Sequence, residues 1–128
     1  MSIKTEISVG EFLDKITILQ IKKDQIKDTA KLVNINKELD ALLQAWQQSP
    51  YAGADIREDL RSLRSVNEKL WEIENAIREK EAKGEFDDRF IELARSVYVT
   101  NDKRAVLKKG INQRLGSGYV EEKSYKDY

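Results

Sequence analysis

From Leu32 to Trp46 the apolar residues Leu32, Ile35, Leu39, Leu42, Leu43 and Trp46 recur mostly three or four positions apart, and similar spacing returns along most of the chain. Strand faces repeat every two residues, so a chain with this period buries its apolar side chains by packing helices together. The breaks agree with that reading. The only proline, Pro50, sits in QQSPYAG over residues 47–53, and glycines mark two further breaks at Gly84 and at Gly116 with Gly118. A chain of 128 residues is one ordinary domain. A single helical domain is therefore expected over 1–118, followed by a C-terminal tail over 119–128.

Ser8 with Glu11 is a capping box, and Ile7 and Phe12 hold the two staple positions around it, so a first helix begins at Val9 and should reach about Lys27. Asp28 caps a second helix that carries the Leu32–Trp46 stripe. Asp55 and Glu58 repeat the capping-box pattern before a third helix. Its stripe of Ile56, Leu60, Leu63, Leu70, Ile73 and Ile77 continues to about Lys83, where Gly84 suits the left-handed C-cap position. Asp87, stapled by Phe86 and Ile91, opens a fourth helix with Phe90, Ala94, Val97, Ala105, Ile111 and Leu115 on one side. Gly110 inside that helix is worse than alanine by about 1 kcal/mol, so it marks either a close helix contact or an early end. Short connections favour antiparallel neighbours, which predicts an all-α antiparallel bundle of four helices built from two hairpins.

The second hairpin, at about 28 residues per helix, outreaches the first by roughly 10 Å and must project or pair with another copy. Helix one points the same way. At 100° per residue Val9, Phe12, Leu13, Ile16, Leu19 and Ile26 fill one face, while Ile18 and Ile21 lie nearly opposite. Either helix one is central and covered on two sides, or Ile18 and Ile21 form the interface of a homo-oligomer, most simply a dimer.

The 23 basic and 23 acidic residues cancel, so no global field draws the chain to nucleic acid or an anionic membrane. Lys103, Arg104, Lys108, Lys109 and Arg114 form a local positive bias, but no aromatics interleave with it as a nucleic-acid footprint requires. With neither Cys nor His, thiolate nucleophiles, disulfides and the commonest zinc ligand are excluded, and no cofactor or metal is expected. The carboxylate pairs Glu11 with Asp14 and Glu72 with Glu79 read as solvated helix surface. Residues 1–7 lack the apolar core of a signal peptide, and no stretch approaches the length of a membrane span, so a cytoplasmic protein is expected.

VGEFLDKITIL at 9–19, VNEKLWEIENAIR at 66–78, ARSVYVTND at 94–102 and EEKSY at 121–125 together resemble a family of short bacterial and phage proteins classed as a domain of unknown function. The resemblance covers nearly the whole chain. It implies no reaction, and leans only slightly toward a carbohydrate-related role.

The most informative positions are polar residues on faces that the stripes mark as buried: Asn67 and Glu74 on helix three, and Asn101, Arg104, Lys108 and Asn112 on helix four. Folding helix three against helix four about the turn at 84–86 brings residues whose numbers sum to about 170 opposite one another, which sets Asn67 level with Asn101 and Arg104. Such a cluster is either an interior network that fixes register or a site whose guanidinium and amides hold an anion. The leading expectation is a non-enzymatic helical interaction or scaffold protein that self-associates or takes a protein partner. The alternative is a small-molecule binding protein or enzyme, with a pocket for an anionic or carbohydrate-related ligand between helices three and four at Asn67, Glu74, Asn101, Arg104 and Lys108. The tail, with Tyr119, Val120, Tyr125 and Tyr128 among charges, either frays or straps across the bundle.

Overall fold

A computed structural model describes residues 1–119 and 121–128, which leaves Val120, part of the expected strap, outside the described residues. The chain forms four helices: α1 (Val9–Gln25), α2 (Thr29–Gln47), α3 (Arg57–Lys83) and α4 (Asp88–Leu115). Among the described residues there is no strand, and no helix is long and apolar enough to cross a membrane.

Three of the four helix starts follow local side-chain chemistry. Ser8, Asp28 and Asp87 each accept the backbone N–H three residues on, from Glu11, Lys31 and Phe90. At Ser8 the reciprocal half of the capping box is missing, because the Glu11 carboxylate turns to Lys108 instead. Nor is Asp55 the cap of α3. Ile56 holds that position with no side-chain bond, while Asp55 accepts from both the backbone and the guanidinium of Arg57, which holds its carboxyl at about 2. The bidentate Arg57 pairing consumes the oxygens that a capping box would have used. Phe86 is 60% exposed and meets Phe90 edge to face at 5.2 Å, whereas Ile91, its expected staple partner, is 53% exposed. Gly84 and Gly116 close α3 and α4 in the left-handed conformation, at φ 64 and φ 66. α1 stops at Gln25, two residues early, because Ile26 turns extended and its side chain packs against the core cluster.

α1 is the central element. It packs against α2, α3 and α4, and α3 packs against α4, whereas the α2 backbone comes close to that of α1 alone. Around its wheel the buried residues run from Leu19 through Ile16, Val9, Leu13, Thr17 and Ile21 to Asp14, about 220° of arc against the roughly 100° of an ordinary surface helix. Leu13, Ile16 and Leu19 join Ile35, Leu39 and Trp46 of α2 with Leu63 of α3 and Ile111 of α4 in one apolar core. The second buried face of α1 is thus covered within the chain. Ile21, expected at an oligomer interface, is buried there, and Ile18 is half-buried beside it. On α4 Leu93 is buried as well as the expected Ile111, while the expected Ala94 is exposed.

Gly110 makes no close contact and does not end its helix: a Cβ there would meet nothing within 4 Å, and α4 runs on to Leu115. The close approach belongs to Gly10. A Cβ at Gly10 would stand 2.5 Å from the Lys108 carbonyl oxygen and 3.1 Å from Asn112 Oδ1, which itself accepts the Gly10 N–H at 2.7 Å. α1 reaches α4 only because position 10 lacks a side chain. In chemical denaturation Gly10→Ala is expected to destabilise the fold by about 1–3 kcal/mol, since backbone rather than a flexible side chain must move. Gly110→Ala should stabilise it by up to about 1 kcal/mol.

Candidate functional site

The polar residues of the second face of α1 meet α3 at Asn67. Burying Asp14 (4% exposed), Thr17 (0%) and Asn67 (5%) requires each polar group to find a partner, and each does. The Asn67 amide donates to Asp14 Oδ1 at 2.8 Å and to Thr17 Oγ1 at 2.9 Å, and the Thr17 hydroxyl donates to the Asp14 carbonyl at 2.8 Å. The Asn67 carbonyl accepts from Arg104 NH1 at 3.1 Å, and Arg104 NH2 donates to Asn101 Oδ1 at 2.9 Å. Asn67, Asn101 and Arg104 therefore share one side-chain shell, as the hairpin register requires.

The two ends of this chain of bonds differ. At the Asp14 end the donors of Asn67 and Thr17 are all used, which makes that end a structural lock. At the Arg104 end the guanidinium has five N–H groups, of which two are spent on amide oxygens, and among the described residues no carboxylate lies within 4.0 Å of it. Arg104 opens into a groove of about 360 Å³ between α1 and α3. Ile18, Ile21, Leu70 and Trp71 form its apolar walls, and Lys22, Asn67, Glu74, Asn75, Arg78 and Arg104 supply its polar groups. The expected pocket between helices three and four is thus displaced, because those helices pack on each other and the open seam runs along α1.

The remaining expected site residues fall elsewhere. Glu74 is exposed rather than buried and pairs with Arg78 at 3.3 Å on the groove wall. Lys108 is buried outside the groove, 2.6 Å from Glu11, 2.9 Å from Glu121 and 4.0 Å from Asp14. Burial disfavours its ammonium, but the bonds to Glu11 and Glu121 outweigh that and raise its pKa above the ordinary lysine value. Asn112 spends its carbonyl on Gly10, and the tight approach leaves its buried NH2 without a partner among the described residues. Sequence reasoning missed Asp14 and Thr17, and read Asp14 as solvated. Their signal was the spacing 14, 17, 21, which continues the Ile21 face of α1 at helical period. Trp71 gave no such signal.

The tail lies back along α4. Glu121 pairs with Lys108, the Tyr128 hydroxyl donates to Asp102 at 2.6 Å, and the Tyr98 and Tyr128 rings stand 5.3 Å apart. The bond to Lys108 holds the Glu121 carboxyl below its ordinary value, against the opposing effect of burial.

Among the described residues no group of three or more Asp and Glu is placed to hold a metal ion. Residues 3–128 match a family described as a family of unknown function (DUF6165). No curated protein and no solved structure matches the chain.

Asn67→Leu should destabilise the fold by about 2–4 kcal/mol in denaturant titration, because it strands Asp14 and Arg104 together. Asn101→Leu should lose less than about 1 kcal/mol, since water reaches the half-buried Arg104 in its place. The depressed Glu121 pKa means that its contribution to tail docking is fully present above the ordinary value of 4.5 and is lost as the pH falls through the lowered one. The nuclear Overhauser contact between the Tyr98 and Tyr128 rings should accordingly persist at neutral pH and fade in acid. In Glu121→Gln it should already be weak at neutral pH.

Proposed function

Since the chain belongs to this family of unknown function, whose description carries no reaction, we propose from the geometry that it is a non-enzymatic protein that binds a small anionic ligand in the groove between α1 and α3. The observation that carries this reading is Arg104: a half-buried guanidinium, oriented by two amide oxygens and unneutralised by any described carboxylate within 4.0 Å, facing an open groove. Lys22 adds a second positive charge, and Arg78 and Glu74 offset each other. A volume of about 360 Å³ lies within the usual range for small-molecule sites. Helices alone wall this groove, so it is formed before any ligand arrives. Three clefts are roomier: two, of about 770 and 790 Å³, owe part of their walls to terminal segments outside the helices, and in the third, of about 520 Å³, Arg57, Arg61 and Arg114 are already paired with Asp55, Glu58 and Asp59.

A second reading, self-association, rests on a separate observation. α3 and α4, at 27 and 28 residues, are about 40 Å long against about 25 Å for the 17 residues of α1, and they leave Phe86, Ile91 and Val99 exposed. This apolar surface replaces Ile18 and Ile21 as the candidate contact between copies.

Titration with inorganic phosphate should shift the side-chain resonances of Arg104 and Asn67 saturably, and Arg104→Gln should abolish the shift while retaining the fold. Shifts spread evenly over all surface lysines and arginines would reject the site. Light scattering should give a dimer mass that Phe86→Lys with Ile91→Lys reduces to a monomer; a monomer mass for the unsubstituted protein at high micromolar concentration would end the second reading.

A further inference from the structure

We infer that the ligand of this groove is a monocarboxylate with a linear apolar tail, its head on Arg104 and its tail lying along Trp71 and Leu70. The inference rests on the anion-binding reading above and adds the chemistry of the ligand body.

The groove is long and narrow. Its lining on α3 extends from Asn67 to Arg78, a separation of about 16 Å at 1.5 Å per residue, and its volume over that length is only about 360 Å³. Between those ends the walls are Ile18 and Ile21 on one side and Leu70 and Trp71 on the other. A polyhydroxy ligand needs donors and acceptors along its length, and the walls offer it little. Asn67 has committed both amide hydrogens to the α1 lock, and Asn75 is the other amide in the lining. A multiply charged ligand would find Lys22 as the one further cation besides Arg104 and the Glu74-paired Arg78, and would set its remaining charge against isoleucine and tryptophan, which forfeits hydration without a partner. A second anionic group at the far end would also meet Glu74, which already neutralises Arg78. One anionic group beside Arg104 and an apolar body toward Trp71 meets every one of these constraints. The planar guanidinium fork, with three N–H groups uncommitted, matches a carboxylate head.

The test is a homologous series, acetate, butanoate, hexanoate and octanoate, titrated calorimetrically into the full chain while tryptophan emission is followed. Affinity is expected to rise about two- to fourfold per added CH2, the upper value being that for complete burial. The emission response should disappear in Trp71→Phe, in which Trp46 is retained and calorimetry still detects binding. Arg104→Gln should weaken every member of the series.

Acetate and phosphate binding with no dependence on tail length would overturn this inference and leave the anion site intact. Unchanged affinities across the series in Arg104→Gln would also overturn it, by placing the carboxylate and its tail at another surface. Failure of the whole series and of inorganic phosphate would remove both the inference and the reading on which it rests.

Discussion

Burial of α1 on two sides is the constraint from which the rest of the architecture follows. A 17-residue helix with about 220° of its perimeter covered needs neighbours on both faces, and one of those faces carries Asp14 and Thr17. Apolar packing suffices for the Leu13–Leu19 side, where α2 contributes Ile35, Leu39 and Trp46. It does not suffice for the other. A buried carboxylate and hydroxyl need polar partners, and Asn67 supplies one to Asp14 Oδ1 and one to Thr17 Oγ1, with the Lys108 ammonium 4.0 Å from Asp14 Oδ2. The need to satisfy those atoms sets the register of α3 against α1, and α4 then follows through the Asn67–Arg104 bond and the Gly10–Asn112 bond.

The candidate site is what this lock leaves over. Asn67 faces two ways: its amide hydrogens close the α1 interface, and its carbonyl orients a guanidinium that has donors to spare. Holding Arg104 between two amides, with no described carboxylate in direct contact and Glu121 acting on it only at longer range, leaves its remaining donors free for a ligand and suits a binding role. Lys108 shows the other outcome. It lies one turn further along α4, and Glu11 and Glu121 neutralise it. Two cations on one helix thus have opposite fates according to which side chains the neighbouring elements bring to them.

The helices themselves were legible residue by residue. Ser8, Asp28 and Asp87 cap where their spacing to the following N–H groups predicts, and Gly84 and Gly116 end their helices in the conformation that glycine alone tolerates easily. The level of Asn67 with Asn101 and Arg104 was readable too, because a tight hairpin converts sequence distance into spatial distance by simple addition. Asp55 was misread because two chemistries compete for one carboxylate, and a guanidinium two residues away outbids a cap. Gly110 was misread in a different way, since its cost to the helix is visible locally but the absence of a neighbour is not.

What the sequence determined by itself was therefore everything carried by contacts within a few residues: the helical class, most helix ends and the register of one hairpin. Tertiary structure alone decided that Gly10 rather than Gly110 is the point of close approach, that Asn67 covers Asp14, and that the groove opens between α1 and α3. Those facts rest on bonds between residues 102 and 53 positions apart, Gly10 with Asn112 and Asp14 with Asn67. The periodicity of a helix shows which face seeks cover. It contains no term for which distant helix supplies the cover, because that choice is made by how shapes and unpaired polar atoms fit once all four helices are present.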